Sequence, residues 1–300
     1  MIIRRDFIKQ TGLAISAAGF GLSGFNFFVD KKPYKMGLQL FTIRAPMAEN
    51  PQQALKTIAG FGYQDTETYG FDGPSINFYN MPAKDFKKVL EDNSLESTSG
   101  HYDFIKYFNS STDELIRYTD QSIEGAHALG QKYITWPWLD AESRTIEKFK
   151  ILTDKLNMIG ERVNKSGLGF AYHNHDFEFI DHNGEIGYDI ILQNTDPELV
   201  KFQIDLYWVA HSSPLTAHEL FLKAPGRFVM WHIKDMDKVT RDYSEMGNGS
   251  IDYTKILPDA TLSGMEYYYI EQGGNFAQNP IQSVKDSAEY FKKNLIDLFG

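Results

Sequence analysis

The sequence predicts a (β/α)8 barrel, and three observations lead there. From Lys35 onward, eight short apolar runs of β type alternate with runs of helical periodicity. Eight such units in about 265 residues match the size and order of a closed parallel barrel, commonly near 250 residues. No Gly-x-Gly-x-x-Gly follows the first run, which removes the main argument for a doubly wound sheet.

The strand candidates are residues 36–43, 64–69, 95–99, 133–136, 168–173, 201–205, 228–233 and 267–271. They lack clean polar alternation, as expected of strands buried on both faces. Between them lie amphipathic runs such as Ala54, Leu55, Ile58 and Ala59, or Phe86, Val89 and Leu90, or Phe149, Leu152, Leu156, Ile159 and Val163. Gly62, Gly130 and Gly167 stand where helix C-caps are expected. The longer connections are 71–81, 176–187 and 237–253. No linker divides the barrel, so residues 34–300 read as a single domain.

Residues 1–33 read as something else. Arg4 and Arg5, followed by Asp6, Phe7, Ile8 and Lys9, precede a weakly apolar, small-residue run over 11–28. This pattern predicts a twin-arginine export signal with a short linker, and hence a periplasmic protein. No later segment reaches the roughly 20 uninterrupted apolar residues that a membrane span needs. The formal net charge of -10 argues against nucleic acid as a partner, because phosphate backbones are bound mainly through Lys and Arg. The chain has no cysteine, which excludes disulfides and thiolate metal sites.

Chemistry in such barrels sits at the C-terminal ends of the strands. The residues there are Glu67, His101, Tyr102, Trp136, Trp138, His173, His175, Glu178, Asp205, Trp208, His232, Lys234, Asp235 and Glu271. Ionisable side chains at successive buried strand ends are costly unless a charge stands between them, and a divalent cation is the usual reason. Any single His or Glu reads more readily as a hydrogen-bonded rim residue; the weight lies in four at successive strand ends.

These residues carry a resemblance. The segments Tyr172-His-Asn-His-Asp-Phe-Glu-Phe179, Gln203-Ile-Asp-Leu-Tyr-Trp208, His232-Ile-Lys-Asp235, Gly247-Asn-Gly-Ser-Ile-Asp252 and Ile270-Glu271 resemble the sugar phosphate isomerase/epimerase family of xylose-isomerase-like barrels. The resemblance runs from Lys35 to the end. It implies one divalent ion (Mn, Mg, Co or Zn) held by a Glu, an Asp, a His and a second Glu on the last four strands. Three of these positions map onto Asp205, His232 and Glu271. The fifth strand departs from the pattern, with His173 where many relatives have the first Glu. Either His173 replaces the carboxylate, or Glu178 reaches back as the ligand and frees His173 and His175 for proton transfer. The second arrangement is preferred here, because a spare imidazole suits a general base.

The implied activity is a metal-dependent sugar isomerase or epimerase working by proton abstraction beside a carbonyl, through an enediolate, with Glu271 both ligand and catalytic group. Export favours an unphosphorylated sugar or keto-sugar as substrate. Two alternatives stay open: a 3-keto-glycoside lyase using β-elimination at the same site, and a non-catalytic periplasmic sugar-binding barrel. Glu67, His101, Trp136, Trp208 and Lys234 are expected to bind substrate, with aromatic rings at Trp136, Trp138, Tyr207 and Trp208 available to stack on sugar faces or to fill the barrel mouth. The partner expected is a small carbohydrate; an oligomer is compatible with the sequence.

Overall fold

The computed structural model describes residues 34–298. Eight strands form the barrel: β1 (Gly37–Gln39), β2 (Asp65–Thr68), β3 (Glu96–His101), β4 (Tyr133–Trp136), β5 (Gly169–His173), β6 (Lys201–Asp205), β7 (Met230–Ile233) and β8 (Tyr267–Ile270). They are hydrogen-bonded in the closed order 1-8-7-6-5-4-3-2, and every pairing is parallel. The eight predicted runs are therefore the eight barrel strands. The first is shorter than expected, because the chain turns into a 3-10 helix at Leu40–Ile43 once the Gln39 side chain accepts the Phe41 N–H at 3.0 Å.

The longest helices are Thr112–Leu129 and Ile146–Lys165. The first opens on a capping box, in which Ser111 and Glu114 each accept from the other's backbone N–H, and closes on Gly130 at φ 82. Gly62 and Gly167 take the same left-handed conformation after their helices. The long connections carry small antiparallel sheets, among them the hairpin Asp181–His182 with Glu185–Ile186.

Strand parity sets which side chains face where, since successive residues point to opposite faces. Phe170 and Tyr172, Phe202 and Ile204, Trp231 and Ile233, and Tyr268 and Ile270 join the main core, the layer that the helices cover. Tyr133, Ala171, Met230 and Tyr269 have the opposite parity and form a separate buried cluster. His173, Gln203, Asp205, His232 and Glu271 continue this second, inward set. A bulge between Thr66 and Glu67 shifts the β2–β3 register at the point where Glu67 turns inward.

Near the start of β2, Asp65 is buried and accepts from the backbone N–H groups of Thr66 and Thr98. Burial outweighs these bonds and pushes its carboxyl up to about 8. The folded value lies above the unfolded one, so the native state holds the extra proton. Stability is then greatest below the unfolded value and falls as pH rises toward 8, at up to about 1.4 kcal/mol per pH unit. Asp65→Asn should flatten this slope in denaturant midpoints measured between pH 5 and 8; an unchanged slope would assign it elsewhere.

Candidate functional site

Register brings the inward residues together at the C-terminal mouth. Asp205 pairs with His232 across β6 and β7, and Gln203 with His173 across β5 and β6. Glu271 follows Ile270, which pairs with Ile233 of β7. As a result Asp205, His232 and Glu271 each offer a ligand atom within 4.8 Å of the others, and so do His101, His173 and His232. His173 Nε2 lies 3.7 Å from Asp205 Oδ2, linking the two groups.

His232 is the hinge of the cluster. Its Nδ1 is 2.6 Å from Glu271 Oε2 and its Nε2 is 2.5 Å from Glu67 Oε2. Burial works against its charge, but Glu67 and Glu271 outweigh that and push it up to about 9. Glu67 in turn accepts from Gln39 Nε2 at 2.7 Å, Ser99 Oγ at 2.6 Å and Gln203 Nε2 at 2.6 Å. Burial opposes its ionisation, yet His101 and His232 hold it well below the usual carboxylate range. With both oxygens taken and no exposure, Glu67 does not touch substrate space as expected; it lies beneath the site and orients His232 and His101. A carboxylate fixing one nitrogen of an imidazole so that the other faces a cation is the usual support of a metal-ligating histidine.

Asp205 is split between two tasks. Its Oδ1 caps the helix Leu206–Ser212 by accepting from the N–H groups of Tyr207 and Trp208. Its Oδ2 is 2.7 Å from Lys234 Nζ, which also lies 2.8 Å from Glu271 Oε2. Burial opposes the ionised form of Glu271, but Lys234 and His232 hold it far below its ordinary value. The neighbouring Asp235 is not part of the mouth. It accepts the N–H groups of Met236, Gly247, Gly249 and Ile251, tying the Gly247–Asp252 segment to the end of β7. A Cβ on Gly249 would come within 2.0 Å of that carboxylate, so only glycine fits there.

The fifth strand is where expectation and geometry part. Glu178 sits on a 3-10 turn, Phe177–Phe179, which carries its carboxyl back under the loop. There it accepts from Tyr172 OH at 2.7 Å and His175 N at 2.8 Å, and burial pushes it up to about 8. It joins neither ligand group, whereas His173 does. His173 is buried with no hydrogen-bond partner at Nδ1, and burial, then the neighbouring His232, keep it well below the usual imidazole value. His175 is likewise lowered, by burial and then Lys234. Both imidazoles are therefore neutral, the form that binds a metal or accepts a proton.

The Asp205, His232 and Glu271 group fits a divalent ion, with two buried carboxylates and the braced imidazole, and the neutral His173 stands 3.7 Å from Asp205 beside it. Above it opens a cavity of about 720 Å³ lined by His101, His173, His175, Trp138, Trp208, Lys234 and Glu271, together with Phe41, Tyr69, Arg144 and Tyr243. One aromatic expectation fails, and Tyr207 takes the second of its two readings, a buried ring. Trp136 has outward parity, is fully buried against Phe104 at 5.4 Å between ring centroids, and donates Nε1–H to Trp138 O. Tyr207 is buried and bonds Arg241 O. The amides Gln39 and Gln203 escaped the sequence reading, although a Gln two residues before Asp205 shares its face. Among the described residues no helix is long and apolar enough to cross a membrane. The segment read as an export signal lies outside the described residues.

Known proteins align with this picture. An inosose dehydratase of Clostridium perfringens is 25% identical over 262 residues, 75% of this chain and 86% of that protein. A sugar phosphate isomerase/epimerase from Parabacteroides distasonis superposes with a TM-score of 0.75 at 24% identity, covering 89% of this chain and 96% of that one. The IOLI protein, crystallised with a bound zinc atom, superposes at 0.68 with 16% identity, covering 88% and 98%. The sequence profile of the xylose isomerase-like TIM barrel matches residues 55–294. The chain belongs to that family.

Proposed function

We propose that the protein is a divalent-metal-dependent sugar isomerase or epimerase that moves a proton beside a carbonyl, acting on an unphosphorylated sugar or keto-sugar. The observation carrying this reading is the buried Asp205, His232 and Glu271 group, which reaches through Glu271 a cavity also lined by neutral His173 and His175. Asp205, His232, Glu271 and His173 would hold the ion. When bound, it supplies charge stabilisation for the oxygens that gain negative charge as the carbon-bound proton leaves.

The chain's own residues do the rest. His175 lines the cavity with an unpartnered Nδ1, and its ring is held edge-on to Trp138 at 4.7 Å and stacked on Phe177 at 5.6 Å. A neutral imidazole so placed takes the proton, leaving an enediolate in the substrate. Lys234, its ammonium maintained by Asp205 and Glu271 against the cost of burial, faces the same space and donates to a substrate oxygen. Return of the proton to the other face gives an epimer and return to the adjacent carbon gives an isomer. Loss of a β-leaving group gives elimination; the inosose dehydratase among the relatives supports that as the second reading. Incubation of metal-replete protein with keto-sugars in deuterated water should give metal-dependent incorporation of deuterium next to the carbonyl. No incorporation with any of a panel of ketoses and keto-sugars would sink the proposal.

The restriction to unphosphorylated substrates rests on export. We place the protein in the periplasm because of the pair Arg4 and Arg5. Changing both to Lys should leave the protein in the cytoplasm, because a receptor reading guanidinium groups does not accept ammonium groups equally. Fractionation showing unchanged delivery would remove the argument.

A further inference from the structure

We propose that Arg144 is an anion clamp in the cavity and binds the carboxylate of a sugar acid, so that the substrate is a uronate-type sugar and not a neutral one. The inference rests on the sugar reading given above and adds the charged group that the substrate carries.

One lysine and one arginine line the cavity. Lys234 is already neutralised, with Asp205 at 2.7 Å and Glu271 at 2.8 Å from its Nζ. Arg144 has no such partner. Among the described residues no carboxylate forms an ion pair with it, although Asp103 and Asp176 line the same cavity; Asp103 is taken by Lys106 at 2.7 Å. In a chain with 40 acidic residues against 30 basic ones, a half-buried guanidinium without an acidic partner leaves a charge for something else to meet.

The guanidinium is held so that one edge stays free. Its Nε and Nη2 both donate to Leu139 O, at 3.1 and 2.9 Å, and its flat face lies over Trp138 at 4.6 Å and over Phe177 at 3.9 Å. Of the five N–H donors in the planar fork, those on Nη1 and the far side of Nη2 remain, and two parallel N–H groups are what a carboxylate accepts. The buried Arg227 gives the contrast. Its Nη1 donates to Leu192 O and its Nη2 to Thr195 Oγ1 and Val200 O, so both terminal nitrogens are satisfied by the protein. Arg144 Nη1 has no hydrogen-bond partner among the described residues.

Position ties this edge to the reacting centre. His175, the proposed base, stacks on the same Phe177 ring at 5.6 Å and meets the same Trp138 ring at 4.7 Å. Arg144 and His175 therefore stand within the length of one six-carbon sugar acid, whose carboxylate meets the guanidinium while a neighbouring carbon meets the imidazole. A carboxylate fixed in this way orients the sugar before the proton moves.

The test is calorimetric binding of matched probes to the metal-replete full chain: glucuronate, galacturonate and mannuronate, each against its parent hexose and its uncharged uronamide. At least one uronate should bind about tenfold more tightly than both of its neutral partners, the scale of a charge-assisted pair, and the advantage should shrink as salt is raised. Arg144→Gln should remove most of that advantage, while Arg144→Lys keeps part of it through charge without the fork. The wild-type comparison needs no variant, and melting curves check that both variants fold. A panel in which no uronate exceeds its amide overturns the proposal. An advantage that survives Arg144→Gln in folded protein also overturns it, by placing the carboxylate elsewhere, and tighter binding of glucose 6-phosphate than of every uronate does so by making the clamp a phosphate site. Uronate preference in a protein that never exchanges protons supports the clamp while refuting the proposed reaction. Exchange with neutral keto-sugars and no uronate preference refutes the clamp and keeps the reaction.

Discussion

Asp205→Asn is expected to strip the protein of its divalent ion and to lower turnover by on the order of 10³-fold. Loss of several kcal/mol of charge stabilisation, at 1.36 kcal/mol per tenfold, sets that scale. The asparagine is the informative change because its side-chain oxygen still caps the helix Leu206–Ser212, as Asp205 Oδ1 does by accepting from Tyr207 and Trp208. Asp205→Ala adds the cost of a lost cap, about 1 kcal/mol, and confounds chemistry with stability. Metal content by atomic emission, alongside a melting curve, checks both. Full metal occupancy in the asparagine variant would remove Asp205 from the ligand set.

The second large effect separates the three ionisable groups after β5. His173→Gln should weaken metal binding by more than the 10- to 100-fold typical of a residue that only supports a ligand. Glu178→Gln should leave metal binding nearly unchanged, because its carboxyl faces Tyr172 OH and His175 N and not the cluster. His175→Gln should keep the metal and cost about 10²- to 10⁴-fold in turnover, the range of a positioned general base. Metal lost in Glu178→Gln and kept in His173→Gln would restore Glu178 as the ligand.

Much of this site was legible in the sequence because parity and strand ends are local properties. His173, Asp205, His232 and Glu271 close runs of strongly apolar residues, and each has the inward parity of its strand. Trp136 has the outward parity of Ile134, so its place in the core was also readable. Glu178 was not readable in the same way. Its direction depends on a 3-10 turn after the strand, where neither a period of 2 nor one of 3.6 applies. The amide and hydroxyl partners of Glu67 come from β1, β3 and β6, and only closure of the barrel brings them together. Phe41 escaped for a related reason: it lies within a run read as continuous strand, and the 3-10 turn beginning at Leu40 brings it to the mouth.

The central claim is a single divalent-ion site built by Asp205, His232, Glu271 and His173. Titration of chelator-treated protein with Mn, Mg, Co and Zn, followed by calorimetry and by metal analysis after gel filtration, tests it most directly. The account predicts one equivalent bound per chain for at least one of these ions, with the site lost in Asp205→Asn. Binding of none of the four above background, in protein that retains its folded circular dichroism spectrum, would contradict it.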